Sequence, residues 1–355
     1  MQIDFHHAVT YVIARLAGLS HPKANVVAYC AQYVDDATNG GTVKFDNGAM
    51  YHRISSAHKM LDYRNSKALK NRHVWLPFHF LPGNDGLPAG KAPRGGFHKR
   101  LVCRPNSSVA QDMVRACLED KKKPYGLYRL GVTMHVFADT WAHQGFAGIN
   151  HKLNEAHDIE SEDKQFDARF YEKIANFFIS EAFPLGHGAV LSYPDRPYLK
   201  WSYTNGLGER IERDNPKDFL EAANEMCKTM RRWQLGDPDA QVDGLPREDE
   251  KKIDALLRTT KLESGDERHA VWLKKIAEGH FSFGPTKLTY IPKGKGSWKH
   301  QALGTREWVD DPDDEPFHYT PSFLTSHWKM FHDALQAHRF DILHDILPKY
   351  GICAA

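Results

Sequence analysis

The sequence predicts a mainly α-helical protein on three observations. Apolar residues recur at helical spacing along most of its length. Strand signals are few, and the clearest run, LGVTMHVFADTWAHQGF (residues 130–146), keeps a helical pattern while carrying His135, Asp139 and His143 at intervals of four.

Taken in order, residues 7–36 read as a helical hairpin. Val9, Val12, Ile13, Leu16 and Ala17 line one helix, Gly18 to Pro22 make the turn, and Ala24, Val27, Ala28, Ala31 and Val34 line the second. The Gly-Gly and Asn-Gly pairs of ATNGGTVKFDNGAMYHR predict a loop or short hairpin, and ISSAHKMLDYRN after it reads as helical. Residues 74–108 are so rich in proline and glycine that a long ordered loop is expected. Pro124 suits the first turn of a helix running to about Gln144. Further helices are expected at about 162–182, 216–234, 246–261, 265–278 and 321–347, with a local hairpin or a cover over a cleft from about 280 to 320. Residues 1–205 are read as a metal-binding helical core, and residues 206–355 as a helical extension packed on it as one globular unit.

Forty-seven basic and 45 acidic side chains leave a formal charge of +2, which gives no long-range field for nucleic acid or a membrane. The five cysteines are scattered and form no CxxC pair, so neither a disulfide scaffold nor a thiolate zinc site is indicated. Asp4 and Arg15 break the pattern of a secretion signal, and no stretch approaches the roughly 20 uncharged residues of a membrane span. The expectation is a cytoplasmic chain, with signal-independent export as an alternative, and the oligomeric state is not legible. The unusual count is histidine, with 21 residues, and metal ligation is the chemical use that best accounts for it.

Residues four apart on a helix lie one turn above each other, so His135, Asp139 and His143 form a slanting polar stripe on an apolar helix. Leaving three such groups buried and unsatisfied costs several kcal/mol, whereas divalent cations use imidazole nitrogens and carboxylates together. Further ligands are expected from His6 and His7 before the first helix and from Asp35 and Asp36 at the end of the second, because a hairpin returns its ends to one place. His58, His79 between Phe78 and Phe80, and His187 between two glycines complete the candidate ligands. Asp35, Asp36 and Asp139 are the candidate catalytic carboxylates, and Trp75, Phe80, Arg94, Asp195 and Trp201 the candidate substrate contacts. His151 and Glu155 read as a solvated helix start. His327, His332, His338 and His344 fall on several faces of one helix and read as structural or exposed.

The HVFADTWAH helix, the N-terminal histidine, the aspartate closing an early helix and the later lone histidine resemble the superfamily of zinc-dependent phospholipase C and the fungal single-strand nucleases. The resemblance covers about residues 1–200. It implies an all-α core around a metal cluster, with Asp139 as the shared carboxylate, His135 as the helix imidazole, Asp35 or Asp36 as the early aspartate, and His58 or His79 as the intervening histidine. Members of that superfamily often hold a metal through the free amino end of the mature chain, and a second His-x-x-x-Glu helix is matched here only loosely by His151 and Glu155. The implied cofactor is therefore two or three divalent ions, zinc first, with manganese, iron and calcium open. DFHH, AQYVDD, PFHFLPG, HxxxDxxxHQxF and YPDxPYLKW also look like an uncharacterised bacterial family with the same frame.

The expected function is a metal-dependent hydrolase of phosphate esters, phosphodiesterase or phospholipase C-like, acting on a small-molecule or lipid ester. The alternatives are a non-catalytic interaction module stapled by metal, and an HD-type phosphohydrolase using His-Asp pairs at 157–158, 332–333 or 344–345.

Overall fold

Asp4–Val9 winds as a single π-helical turn that continues into α1 (Thr10–Leu16), and every residue of this turn is buried. The computed structural model describes residues 1–57, 68–162, 186–304 and 316–354. A turn at Gly18, whose φ of 102° suits glycine, leads into α2 (His21–Asp36), which opens with Pro22 in its first turn. The Gly-rich stretch after it forms a two-stranded antiparallel hairpin, β1 (Gly41–Lys44) with β2 (Met50–Arg53). Residues 54–57 are not helical, and the remainder of ISSAHKMLDYRN, including His58, lies outside the described residues.

Helix α3 (Ala68–Phe78) takes the first residues of the expected 74–108 loop. Pro77 is tolerated in its last turn because Val74, Leu76 and Phe78 are buried there, so packing outweighs local propensity. The rest of that segment is loop, broken only by a 3-10 turn at Asn84–Gly86 and the one-turn α4 (His98–Leu101). Ser107 caps α5 (Ser108–Glu119) by accepting from the Ala110 N–H. The expected long helix is α6 (Gly126–Ala142), apolar on almost every face and buried from Arg129 to Ala142.

A three-stranded antiparallel sheet, not foreseen, follows as β3 (Ala156–Ser161), β4 (Lys200–Asn205) and β5 (Arg210–Asp214), in that spatial order. His151 and Glu155 therefore flank a 3-10 turn leading into a strand and do not open a helix. The strands are short, and only β4 alternates cleanly, burying Trp201, Tyr203 and Asn205 on one side. The helix expected over 162–182 lies outside the described residues from 163 onward.

The second half supplies α7 (Asn215–Leu235), capped by Asp214 and closed by Gly236 at φ 74°, then α8 (Arg247–Thr259) and α9 (Gly265–Ala277). Among the described residues of 280–320 one short helix forms, α10 (Trp298–Leu303). The single helix expected at 321–347 is a 3-10 turn, then α11 (His327–Phe340), then a π turn at Asp341–Ile346. Helices α2, α5, α7 and α11 pack around α6, and the largest apolar cluster joins Phe5, Val12 and Met134 to Phe219, Met226 and Trp272 from the second half. No described helix is long and apolar enough to cross a membrane.

The crossing of α2 over α6 sets the site, and it is close because residue 131 is glycine. A Cβ there would sit 2.6 Å from the Val27 carbonyl oxygen and against the Cys30 side chain, both on α2. Gly131→Ala is expected to destabilise the protein by about 1–3 kcal/mol in urea unfolding, the usual cost of overpacking. An unchanged midpoint would show that the two helices can separate freely.

Candidate metal centre

Five parts of the chain deliver polar side chains to one buried place. The first turn brings His6, the last turn of α2 carries Asp35, and His79 follows α3. Helix α6 contributes His135 and Asp139, with His143 just past its end, and the loop before β4 adds His187 and Asp195. Among the described residues they form three groups whose potential ligand atoms lie within 4.8 Å of one another: His6, Asp35 and His135; His79, His135 and Asp139; and His143, His187 and Asp195. The Met1 amino group lies between the second and third, 2.7 Å from Asp139 Oδ1 and 3.1 Å from Asp195 Oδ1.

The orientation of the imidazoles is informative. His135 Nδ1 donates to the Ala31 carbonyl at 2.6 Å, and His79 Nε2 donates to the Ser56 carbonyl at 2.9 Å. His143 Nδ1 donates to the His79 carbonyl and His187 Nδ1 to the Leu191 carbonyl, both at 2.7 Å. An imidazole in its neutral form has one N–H, and with that N–H outward on main chain each of these rings turns its other nitrogen inward. Those nitrogens face acceptors. His135 Nε2 is 3.2 Å from His79 Nδ1 and 3.3 Å from Asp139 Oδ2, and His79 Nδ1 is 3.4 Å from the same oxygen. Neither His6 nitrogen nor Asp139 Oδ2 makes a hydrogen bond, although all are buried. Apart from the terminal ammonium and the one N–H of His6, whose Nε2 is 3.2 Å from Asp139 Oδ1, the converging groups are acceptors, and such a set fits a cation.

The charge state agrees with this reading. Burial depresses His135 and His187 to about 4 and His6 well below the usual imidazole range, so the rings are neutral at pH 7. Burial opposes ionisation of Asp139, yet His143, the terminal amino group, His135 and His6 hold its carboxyl well below the usual range. Asp195 is lowered in the same way, against burial, by the terminal amino group and His187. Asp35 moves upward, through burial first and then the repulsion of Asp139. Burial disfavours the charged terminal amine, but Asp139, Asp195 and Asp35 outweigh it and raise the group to about 11. An ammonium thus supplies positive charge between two carboxylates.

Residues outside the cluster hold it in place. Arg268 of α9 donates to Asp4 Oδ2 at 2.6 Å and to Gln2 Oε1 at 2.6 Å, clamping the turn that carries His6. Asn215 Nδ2 donates to the carbonyls of Tyr193 and Arg196 at 2.7 and 2.8 Å, which fixes the turn carrying Asp195. Its Oδ1 accepts from the Trp201 indole at 3.1 Å. Leu191, whose carbonyl orients His187, adopts φ 49°, a strained value for a leucine.

The match of one family model to residues 1–346 decides the family. The protein belongs to DUF6765, a family of unknown function. No curated protein and no solved structure matches the chain.

In this DUF6765 chain the sequence-derived candidates divide cleanly. His6, Asp35, His79, His135, Asp139, His143 and His187 are brought together. His7 and Asp36 are not, because neighbouring helical residues point about 100° apart. His7 Nδ1 meets His269 Nε2 at 2.8 Å, and Asp36 accepts from the Tyr290 hydroxyl at 2.6 Å, both turned away from the cluster. Asp195, expected as a substrate contact, stands among the candidate ligands. Trp201 is buried behind the loop as a support, and Phe80 is buried and stacked on His143 at 4.6 Å, so neither is open to substrate. Half-buried Trp75 flanks His79 with ring centroids 5.2 Å apart, and Arg94 is exposed on the loop after α3. Sequence reasoning missed the Met1 amino group, and the positioning roles of Asn215 and Arg268 have no local signal.

The adjacent pairs give a test in this DUF6765 protein. His6→Ala is expected to lose at least one bound metal ion per chain by elemental analysis, while His7→Ala retains the full complement and differs only in stability. Equal loss from both variants would contradict the geometry.

Proposed function

We propose that the protein is a metal-dependent hydrolase acting on phosphate esters. The observation that carries this reading is the set of inward-facing imidazole nitrogens and carboxylates, with four of the rings fixed from behind by main-chain carbonyls. Asp35 has 32% of its side chain exposed and His187 20%, against 5% or less for His6, His79, His135, Asp139 and His143. The buried members suit tight binding, and the exposed pair marks where a substrate could enter.

Divalent cations held by these groups would lower the pKa of a bound water and neutralise charge on a phosphoryl group. The chain's own residues supply position. Asp35, the most exposed of these carboxylates, is the residue that would orient the attacking water and receive its proton. Trp75 beside His79 forms an apolar wall that favours an ester with an organic substituent. The resemblance to zinc-dependent phospholipase C and the single-strand nucleases supports phosphate chemistry, zinc as the metal and a count of two or three ions.

Deep burial of most donors also suits a second reading, a structural cluster that staples the helices. The HD-type reading has less support. Exposed His157 lies on β3, His332 is buried against Trp328, and His344 is exposed after α11, so none of the three His-Asp pairs enters the cluster.

Metal-loaded protein is expected to hydrolyse bis(p-nitrophenyl) phosphate. Asp35→Asn should lower kcat by about 100-fold or more, the range for losing a positioned base, while the variant stays folded. Absence of turnover by the metal-loaded wild type across phosphomonoesters and phosphodiesters would favour the structural cluster.

A further inference from the structure

Net charge near zero conceals a local segregation of charge. Between Pro82 and Cys103, which pair across a β-bridge, the chain makes an excursion whose two roots lie at the metal centre. One root follows His79. At the other, Cys103 donates its main-chain N–H to the Phe146 carbonyl, beside His143.

The base of this excursion is pinned. Asn84 Nδ2 donates to the carbonyls of Leu87 and Lys91, Gly90 N–H donates to the Lys349 carbonyl at 3.0 Å, and Arg100 donates to the Tyr350 carbonyl at 2.9 Å. From that base the segment APRGGFHK projects, with Gly95 at φ 106° shaping its tip. Phe97 is 56% exposed there.

The same loop carries Lys91, Arg94 and Lys99, all exposed, and Arg100, while the carbonyl of exposed Lys349 accepts from Gly90 at the loop's base; none of these five is in an ion pair among the described residues. The Arg100 guanidinium lies 5.8 Å from the Phe97 ring centroid. Asp85, the one acid within the loop, is paired with Arg104 at 2.6 Å. An exposed apolar ring on a loop rich in cations that no carboxylate neutralises, set on a fixed base, is the arrangement that an anionic lipid surface rewards, because the ring enters the interface while the charges meet phosphate headgroups. A nucleic acid would be better matched by several aromatic rings along a groove, and this patch exposes one.

We infer that the loop 82–103 docks the protein on anionic phospholipid surfaces through Phe97 and its surrounding Lys and Arg side chains, next to the candidate metal centre. The inference concerns binding alone and stands whether or not the centre hydrolyses esters.

The test is co-sedimentation of the full-length, metal-loaded protein with phosphatidylcholine vesicles lacking or containing about 30% phosphatidylserine. Partitioning onto the anionic vesicles at least tenfold above that onto neutral ones, and its loss at high salt, is the expected result. The double variant Arg94→Glu/Lys99→Glu should reduce partitioning about tenfold or more. Phe97→Ala, a change at an exposed position, should reduce it several-fold with an unchanged unfolding midpoint. Failure of the wild type to prefer anionic vesicles, or wild-type binding by the charge-reversed variant, overturns the inference. It is also overturned if a single-stranded oligonucleotide displaces the protein from the vesicles at equal phosphate concentration.

Discussion

Hydrogen bonds from imidazole to main-chain carbonyl organise this molecule. Each of His79, His135, His143 and His187 gives its N–H to a carbonyl outside the cluster, and this leaves the nitrogen inside as an acceptor. The carbonyls belong to separate parts of the chain: Ala31 within α2, Ser56 beyond β2, His79 after α3 and Leu191 in the strained loop before β4. Ser56 is itself fixed, since its hydroxyl donates to the Val34 carbonyl at 2.7 Å and its N–H to the Ala37 carbonyl. The cluster can therefore form only when those elements have docked, and the fold serves to bring four carbonyls behind four rings.

Such an arrangement is costly without a cation. Asp139 and Asp195 are held ionised inside the protein, and neutral imidazoles turn acceptors toward them. The terminal ammonium offsets part of that charge, between the two carboxylates. Beyond it, buried Arg268 is committed to Asp4, and buried Arg213 to Asp218 and the Trp141 carbonyl. Metal ions would satisfy the remaining acceptors, and their binding free energy would then count toward folding.

The parts legible in the sequence were those carried by period. The stripe on α6, the hairpin of α1 and α2 and the helices after residue 215 follow from apolar spacing. The choice between His6 and His7, or Asp35 and Asp36, was not legible, because it depends on the rotational phase of each helix against α6, which long-range packing sets. The sheet was missed because its strands are short and only β4 alternates cleanly. Asp195 looked like a cleft residue because a turn between prolines gives no direction for its side chain, and the Asn215 bonds that aim it come from a distant helix. Trp201 and Phe80 drew attention as aromatics, but they act from behind, one bracing Asn215 and the other packing on His143.

The central claim is that these inward-facing donors hold metal. The most direct measurement is a crystal structure of protein purified from zinc-replete medium, with an anomalous difference map at the zinc edge and elemental analysis of the same sample. The account predicts two or three anomalous peaks among His6, Asp35, His79, His135, Asp139, His143, His187 and Asp195, and none beside His7 and His269. A well-ordered structure with no metal in the sample, or with peaks elsewhere and these imidazoles bridged only by water, would contradict it.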